Sequence, residues 1–141
     1  MKFWNLLFWV AAFYNWLVGI PMFIAPDLAM AGFGTAVPED LSLIRVAGAL
    51  IFCFGVIWAM VARDPDRYKP IVWTGLFGKL GVGFVFAQDW LHGNVPVSGV
   101  IITLGQLVFL VMFIAFLMYH KPGVEAADMT DTDKKKAVEA A

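Results

Sequence analysis

The sequence predicts an all-α integral membrane protein: a four-helix bundle running up-down-up-down, with both termini in the cytoplasm. Three observations lead to this fold class. Hydrophobic residues make up 61% of the 141 residues, far above the roughly 45–50% typical of soluble domains. Only 15% of the residues are charged, too few to cover the surface of a soluble fold. Four segments are also long enough to cross a bilayer core of about 30 Å, which needs about 20 apolar residues in a helix.

The predicted spans are residues 3–24, 41–62, 71–91 and 98–119. A proline precedes each of the last three, at Pro38, Pro70 and Pro96, where its missing N–H costs nothing and its fixed φ suits a helix start. The two later connections are short, which implies antiparallel neighbours. We therefore expect one domain, residues 1–120, followed by a polar cytoplasmic tail, residues 121–141, whose composition predicts disorder.

Two segments allow alternative interpretations. Residues 25–34, "APDLAMAGFG", form either a short amphipathic turn in the interface or a plain loop. The first span, followed by Ala29-Met30-Ala31, also imitates a signal peptide. Its apolar run is too long for that role and is interrupted by Asn15, so we expect it to be retained as a span.

The basic residues outside the spans indicate the orientation. All of them fall on one side of the predicted membrane: Lys2, Arg63, Arg67, Lys69, Lys121 and residues 134–136. The opposite loops contain no Lys or Arg, so the positive-inside rule places both termini in the cytoplasm. The expected location is the bacterial inner membrane, with the surrounding lipids as partners.

Several function classes are disfavoured. Cys53 is the only cysteine, which excludes an internal disulfide and a cysteine metal cluster. His92 and His120 fall on opposite sides of the predicted membrane, so they cannot share a metal. We find no phosphate-binding loop, no nucleophile beside a general base and no basic surface for nucleic acid. No catalytic or metal-binding residue is therefore predicted.

Arg45 and Asp89 lie at similar depths near the outer ends of the second and third spans. Helical side chains lean toward their own N-terminus, so in antiparallel spans these two would converge. The sequence predicts a structural ion pair between them, which would make both charges tolerable. The alternative is that each reaches water separately, with Arg45 turned toward Asp27 or Glu39.

Lys79 poses a different problem because it lies near the middle of the third span without a carboxylate at its depth. Asp89 is about 15 Å away along the same helix. The other polar residues near mid-depth are Asn15, Thr103 and Gln106. Gly75 and Gly83 share the face of Lys79, which predicts close approach of another helix and a lysine that points into the bundle.

Lys79 therefore has two interpretations. Its stem could extend toward the cytoplasm and place the ammonium in a small water-filled crevice without any function. Alternatively, Lys79 with Asn15, Gln106 and Thr103 could form a site for an anionic headgroup, a quinone carbonyl or a small anion.

Two stretches, "RVAGALIFCFG" (residues 45–55) and "GLFGKLG" (residues 75–81), resemble small four-helix bacterial membrane proteins of the DoxX-like kind. The resemblance covers residues 45–88 and implies a compact helical bundle. Some DoxX-like proteins are associated with quinone-linked oxidoreductase complexes or oxidative-stress assemblies. From the resemblance we carry over only Arg45, as a polar-site residue.

The function expected from the sequence is that of a small accessory or structural subunit without catalytic machinery, in a larger membrane complex or a homo-oligomer. The alternative is a binding or carrier protein with a polar pocket around Lys79, for which a quinone or lipid would be the natural ligand. A subunit of a quinone-linked enzyme is the third hypothesis.

Overall fold

The computed structural model describes residues 3–93 and 97–121, and their side chains except those of residues 97–103. Every regular element in this part is an α-helix, which confirms the all-α prediction. The helices are α1 (Phe3–Ile24), α2 (Pro26–Gly32), α3 (Ser42–Arg63), α4 (Lys69–Leu91) and α5 (Val97–Tyr119). The bounds of α1, α3, α4 and α5 lie within two residues of the four predicted spans.

Three of these helices, α1, α3 and α4, have the length and apolar character needed to cross a membrane. The fourth, α5, is 23 residues long, and its part with described side chains, Leu104–Tyr119, is also apolar. These helices agree with the prediction of a helical membrane protein. The predicted disordered tail lies outside the described residues from residue 122 onward.

The long first connection contains the short helix α2 rather than a plain loop, and the predicted position of this segment in the membrane interface stays a prediction. Pro26 and Ala29 are buried, whereas Leu28 is exposed. Further along this connection, Oδ1 of Asp40 accepts a hydrogen bond from the backbone N–H of Ser42 at 2.8 Å. This bond lowers the pKa of the Asp40 carboxyl and satisfies the first donor of α3.

The closest helix packing in the described part is between α1 and α3, which are antiparallel neighbours. Small residues recur every seven positions, or about two helical turns, at Gly48, Gly55 and Ala62 on α3 and at Ala12 and Gly19 on α1. We call these five residues the α1–α3 seam. Small side chains let the two backbones approach closely, as in many membrane helix pairs.

The distances across the seam leave no room for larger side chains. A Cβ atom at Gly48 would lie 2.6 Å from the backbone nitrogen of Phe23, and one at Gly19 would lie 2.8 Å from the carbonyl oxygen of Gly48. Both contacts are with backbone, which cannot rotate away as a flexible side chain can. At the far end of the seam, Nδ2 of Asn5 donates a hydrogen bond to the carbonyl of Ala62 at 2.8 Å.

A cluster of aromatic side chains joins the α1–α3 pair to α5. Trp58 lies 4.6 Å from Phe113 and 5.9 Å from Phe8, measured between ring centroids, and Phe8 lies 4.8 Å from Phe116. All four rings are almost completely buried. Trp58 also covers Gly75 of α4, where an added Cβ would overlap the indole. This aromatic cluster forms the centre of the core.

Polar contacts link the start of α4 to the end of α5. Nζ of Lys69 donates a hydrogen bond to the carbonyl of His120 at 2.7 Å. Nε2 of His120 lies 2.5 Å from Oδ1 of Asp66, and its ring stacks on Phe116 at 4.6 Å. These contacts show that α4 and α5 are antiparallel.

Candidate functional site

Lys79 lies in the middle of α4 and is only 9% exposed. Its Nζ atom donates a hydrogen bond of 2.6 Å to Oε1 of Gln106 on α5. The rings of Phe109 and Phe113 lie 5.1 and 5.4 Å from the same nitrogen, within the range of a cation–π interaction. The lysine therefore points into the bundle, as the sequence predicted.

One face of α5 supplies the described groups that contact the Lys79 ammonium. Gln106, Phe109 and Phe113 follow a spacing of i, i+3 and i+7, which places them on the same side of a helix. Gln106 was predicted from the sequence as a site residue, whereas the two phenylalanines were not. Their spacing from Gln106 is the signal that could have found them, although such stripes in apolar helices more often indicate ordinary core packing.

A cavity of about 210 Å³ adjoins the lysine. Its polar groups come from three helices: Asn15 of α1, Lys79 of α4 and Gln106 of α5. The other lining residues are Ile51, Phe54, Trp58, Gly75, Gly78 and Val82. This first cavity has mostly apolar walls and a few polar groups that converge on it, an arrangement typical of small-molecule sites.

The hydrogen-bonding capacity of this cavity is only partly used by the described residues. An ammonium has three N–H donors, and Lys79 uses one of them on Gln106. Asn15 uses one of its two amide protons on the carbonyl of Ala11, at 2.7 Å. Among the described side chains, the single contact of the ion-pair type joins His120 and Asp66. No described carboxylate therefore offsets the charge of Lys79.

A second cavity, of about 250 Å³, lies on the side of Lys79 that faces the junction of α4 and α5. It shares Lys79, Val82 and Gln106 with the first cavity. Its remaining described lining residues are apolar: Leu80, Gly83, Phe84, Phe86, Leu107 and Leu110. Leu80, Phe84 and Leu107 are also exposed on the outer surface of the helix pair. The lysine and the glutamine thus border both cavities.

The structure brings together Lys79, Asn15 and Gln106 from the predicted ligand site. The side chain of Thr103 lies outside the described residues, so its predicted role stays a prediction.

The structure does not bring Arg45 and Asp89 together. Both side chains are exposed, and no ion pair joins them among the described residues. The reason lies between α3 and α4. These helices meet at Trp58 and Gly75, and beyond this contact Ile51 of α3 and Val82 of α4 line the first cavity.

The glycines of α4 have a different role from the one predicted. Gly75 accommodates the indole of Trp58 from α3, whereas at Gly78, Gly81 and Gly83 no heavy atom of the described residues lies within 4 Å of an added Cβ. The predicted close approach of a neighbouring helix on this face is therefore found at Gly75 but not at Gly83 among the described residues. Gly78 and Gly83 instead line the first and second cavities, respectively, while the close approach of two helices occurs at the α1–α3 seam.

The two histidines lie at the C-terminal ends of different helices. His92 follows α4, is exposed and contacts the carbonyl of Gln88 through Nδ1 at 2.7 Å, whereas His120 follows α5. In the part of the chain that the structure describes, no group of three or more His, Cys, Asp or Glu side chains could hold a metal ion.

Comparison of the chain with protein-family models, curated proteins and solved structures gives no match. Function is therefore inferred from the geometry of this site.

Proposed function

We propose that this chain is a four-span membrane protein that binds a small molecule carrying a hydrogen-bond-accepting group. The ligand occupies the first cavity, where its accepting group receives hydrogen bonds from Lys79 and Asn15. This is the binding-protein alternative of the sequence analysis. We prefer it to a purely structural subunit because a cavity adjoins the lysine.

The observation that carries the proposal is the unused donor capacity of a buried ammonium. A lysine at the centre of a membrane helix costs about 2.5–3.5 kcal/mol on insertion scales. Lys79 has one described hydrogen-bond partner and no described counter-charge. The adjoining space is large enough for a ligand group and also contains the amide of Asn15. A ligand with an accepting oxygen would complete the coordination of the ammonium.

The contacts of Lys79 support a fixed side chain rather than a snorkelling one. Its nitrogen is held by Gln106 and by two aromatic rings, so it remains near mid-depth. The DoxX-like resemblance is compatible with a membrane bundle of this kind, and we retain it as part of the proposal.

The proposed topology has four spans, α1, α3, α4 and α5, in the bacterial inner membrane, with both termini cytoplasmic. The antiparallel contacts of α1 with α3 and of α4 with α5 support it. The basic loop between α3 and α4 contains Arg67 and would face the cytoplasm.

Cysteine labelling tests this topology. In a Cys53→Ala background, a membrane-impermeant maleimide added to intact cells should label Ala36→Cys, in the exposed loop before α3. It should label Arg67→Cys only after the cells are opened. Labelling of Arg67→Cys in intact cells would contradict the proposed orientation.

The ligand proposal is tested by replacing Lys79 with methionine, which keeps an unbranched side chain but removes the charge and its donors. Purification in a gentle detergent followed by mass spectrometry should find a small molecule bound to the wild type. We expect the amount of this molecule bound to Lys79→Met to fall at least about tenfold, which corresponds to roughly 1.4 kcal/mol of binding free energy. The helical circular dichroism should stay unchanged.

Lys121→Met is the matched control, because it removes an exposed lysine beyond the end of α5. It should retain the bound molecule. If Lys79→Met retains the same molecule as the wild type, the binding proposal is wrong. Co-purification of a larger protein with both variants would then favour the accessory-subunit hypothesis.

A further inference from the structure

We infer that the ligand is a single-chain amphiphilic carboxylate, which enters sideways from the lipid through the second cavity. Its carboxylate lies in the first cavity beside Lys79, and its hydrocarbon chain extends between α4 and α5. The inference rests on the proposed function and adds the chemical class of the ligand and its route of entry.

Charge is the first reason for choosing a carboxylate. The ammonium of Lys79 lies within reach of one amide oxygen and two aromatic rings, none of which carries a full negative charge. A neutral carbonyl ligand would accept a hydrogen bond but would leave the buried charge uncompensated, which is costly away from water. A carboxylate supplies the missing charge and forms the stronger, charge-assisted type of hydrogen bond.

The arrangement of polar groups fits two carboxylate oxygens. One oxygen can accept from the N–H groups of Lys79 that no described residue uses. The other can accept from the remaining amide proton of Asn15 or from the amide nitrogen of Gln106, because both residues line the same cavity. A carboxylate accepts on both oxygens, so one head group can use donors from three helices.

The second cavity provides the route and the space for the chain. It begins at Lys79 and Gln106, its other described lining residues are apolar, and it includes the exposed side chains of Leu80, Phe84 and Leu107. The two cavities, of about 210 and 250 Å³, share Lys79, Val82 and Gln106 in their linings. A ligand with a charged end and one apolar chain matches this arrangement, in which Lys79 and Gln106 lie at one end and apolar side chains line the rest.

Three glycines of α4 allow the route to be blocked selectively. Gly78 lines only the first cavity, Gly83 lines only the second, and Gly81 lines neither. At all three positions an added Cβ meets no heavy atom of the described residues within 4 Å. The three Gly→Val substitutions also make the same change in intrinsic helix propensity, because all three positions lie in the interior of α4. Gly81→Val is thus a matched control for the other two variants.

The experiment measures the affinity of defined probes for the full chain in lipid nanodiscs. Dodecanoate carries both the charge and the chain, dodecanol only the chain, acetate only the charge, and decyl-benzoquinone a neutral carbonyl head with a chain. We expect dodecanoate to bind at least about tenfold more tightly than the other three. Gly78→Val and Gly83→Val should each weaken dodecanoate binding by about tenfold or more, and Gly81→Val should leave it unchanged.

The outcomes separate this inference from the proposed function. If binding of decyl-benzoquinone requires Lys79 and dodecanoate shows no such binding, the ligand class is wrong but the binding function stands. If Gly83→Val behaves like Gly81→Val while Gly78→Val blocks binding, the lateral route is wrong. If no probe binds and Lys79→Met retains every molecule that co-purifies with the wild type, both proposals fail. Helical circular dichroism of the glycine variants establishes that each is folded.

Discussion

Replacing Gly48 with valine is expected to separate α1 from α3. It should destabilise the protein more than a valine substitution at any glycine outside the α1–α3 seam. The new Cβ would lie 2.6 Å from the backbone nitrogen of Phe23 and 2.8 Å from the carbonyl carbon of Met22. Overpacking in a core typically costs about 1–3 kcal/mol and occasionally more. We expect about 3 kcal/mol or more, because the obstacle is a neighbouring backbone. Thermal unfolding in detergent, followed by circular dichroism, measures the loss.

The control for this prediction is Gly81→Val, which makes the same chemical change in another apolar helix. No heavy atom of the described residues lies within 4 Å of an added Cβ at Gly81, so the unfolding temperature of this variant should stay close to that of the wild type. Equal unfolding temperatures for Gly48→Val and Gly81→Val would show that the seam does not hold α1 and α3 together.

Replacing Trp58 with alanine is expected to have the second large effect on stability. The side chain is 2% exposed and is the member of the aromatic cluster that reaches α4 at Gly75. Truncating a buried tryptophan to alanine costs about 3–5 kcal/mol, because packing is lost and a cavity remains. The void would also adjoin the first cavity, which Trp58 lines. We therefore expect a lower unfolding temperature together with weaker ligand binding.

Trp73→Ala provides the comparison, since Trp73 lies on α4 and is 52% exposed. Its replacement should have a much smaller effect on the unfolding temperature in the same detergent. A loss for Trp58→Ala no greater than that for Trp73→Ala would argue against the aromatic cluster as the centre of the core.

The positions of the helices were predictable because they depend on local properties of the chain. An apolar run of about 20 residues specifies a helix by composition alone, and breakers mark its ends. Gly93, for example, follows α4 with φ of 73°, a left-handed conformation that glycine adopts without strain. The sequence therefore indicated the bounds of α4 closely, without any knowledge of what the helix contacts.

The site was only partly predictable because it depends on which helix faces lie together. Lys79 and Gln106 could be paired because few polar residues share the depth of the lysine. Depth gives no lateral distance, however, and Arg45 and Asp89 at matching depths are not paired. The glycine pattern was also ambiguous. At Gly48 glycine permits contact between two backbones, whereas at Gly83 it lines an open space.

The α1–α3 seam has a consequence for the order in which the protein assembles during its synthesis. Both halves of the seam are encoded within the first 63 residues, so this pair can form before α4 has left the ribosome, since chains generally fold from the N-terminus. Trp58 is then already in place when α4 enters the membrane. Lys79 still lacks Gln106, which is synthesised 27 residues later. Until α5 follows, α4 therefore lacks the helix that supplies the hydrogen-bond acceptor of Lys79.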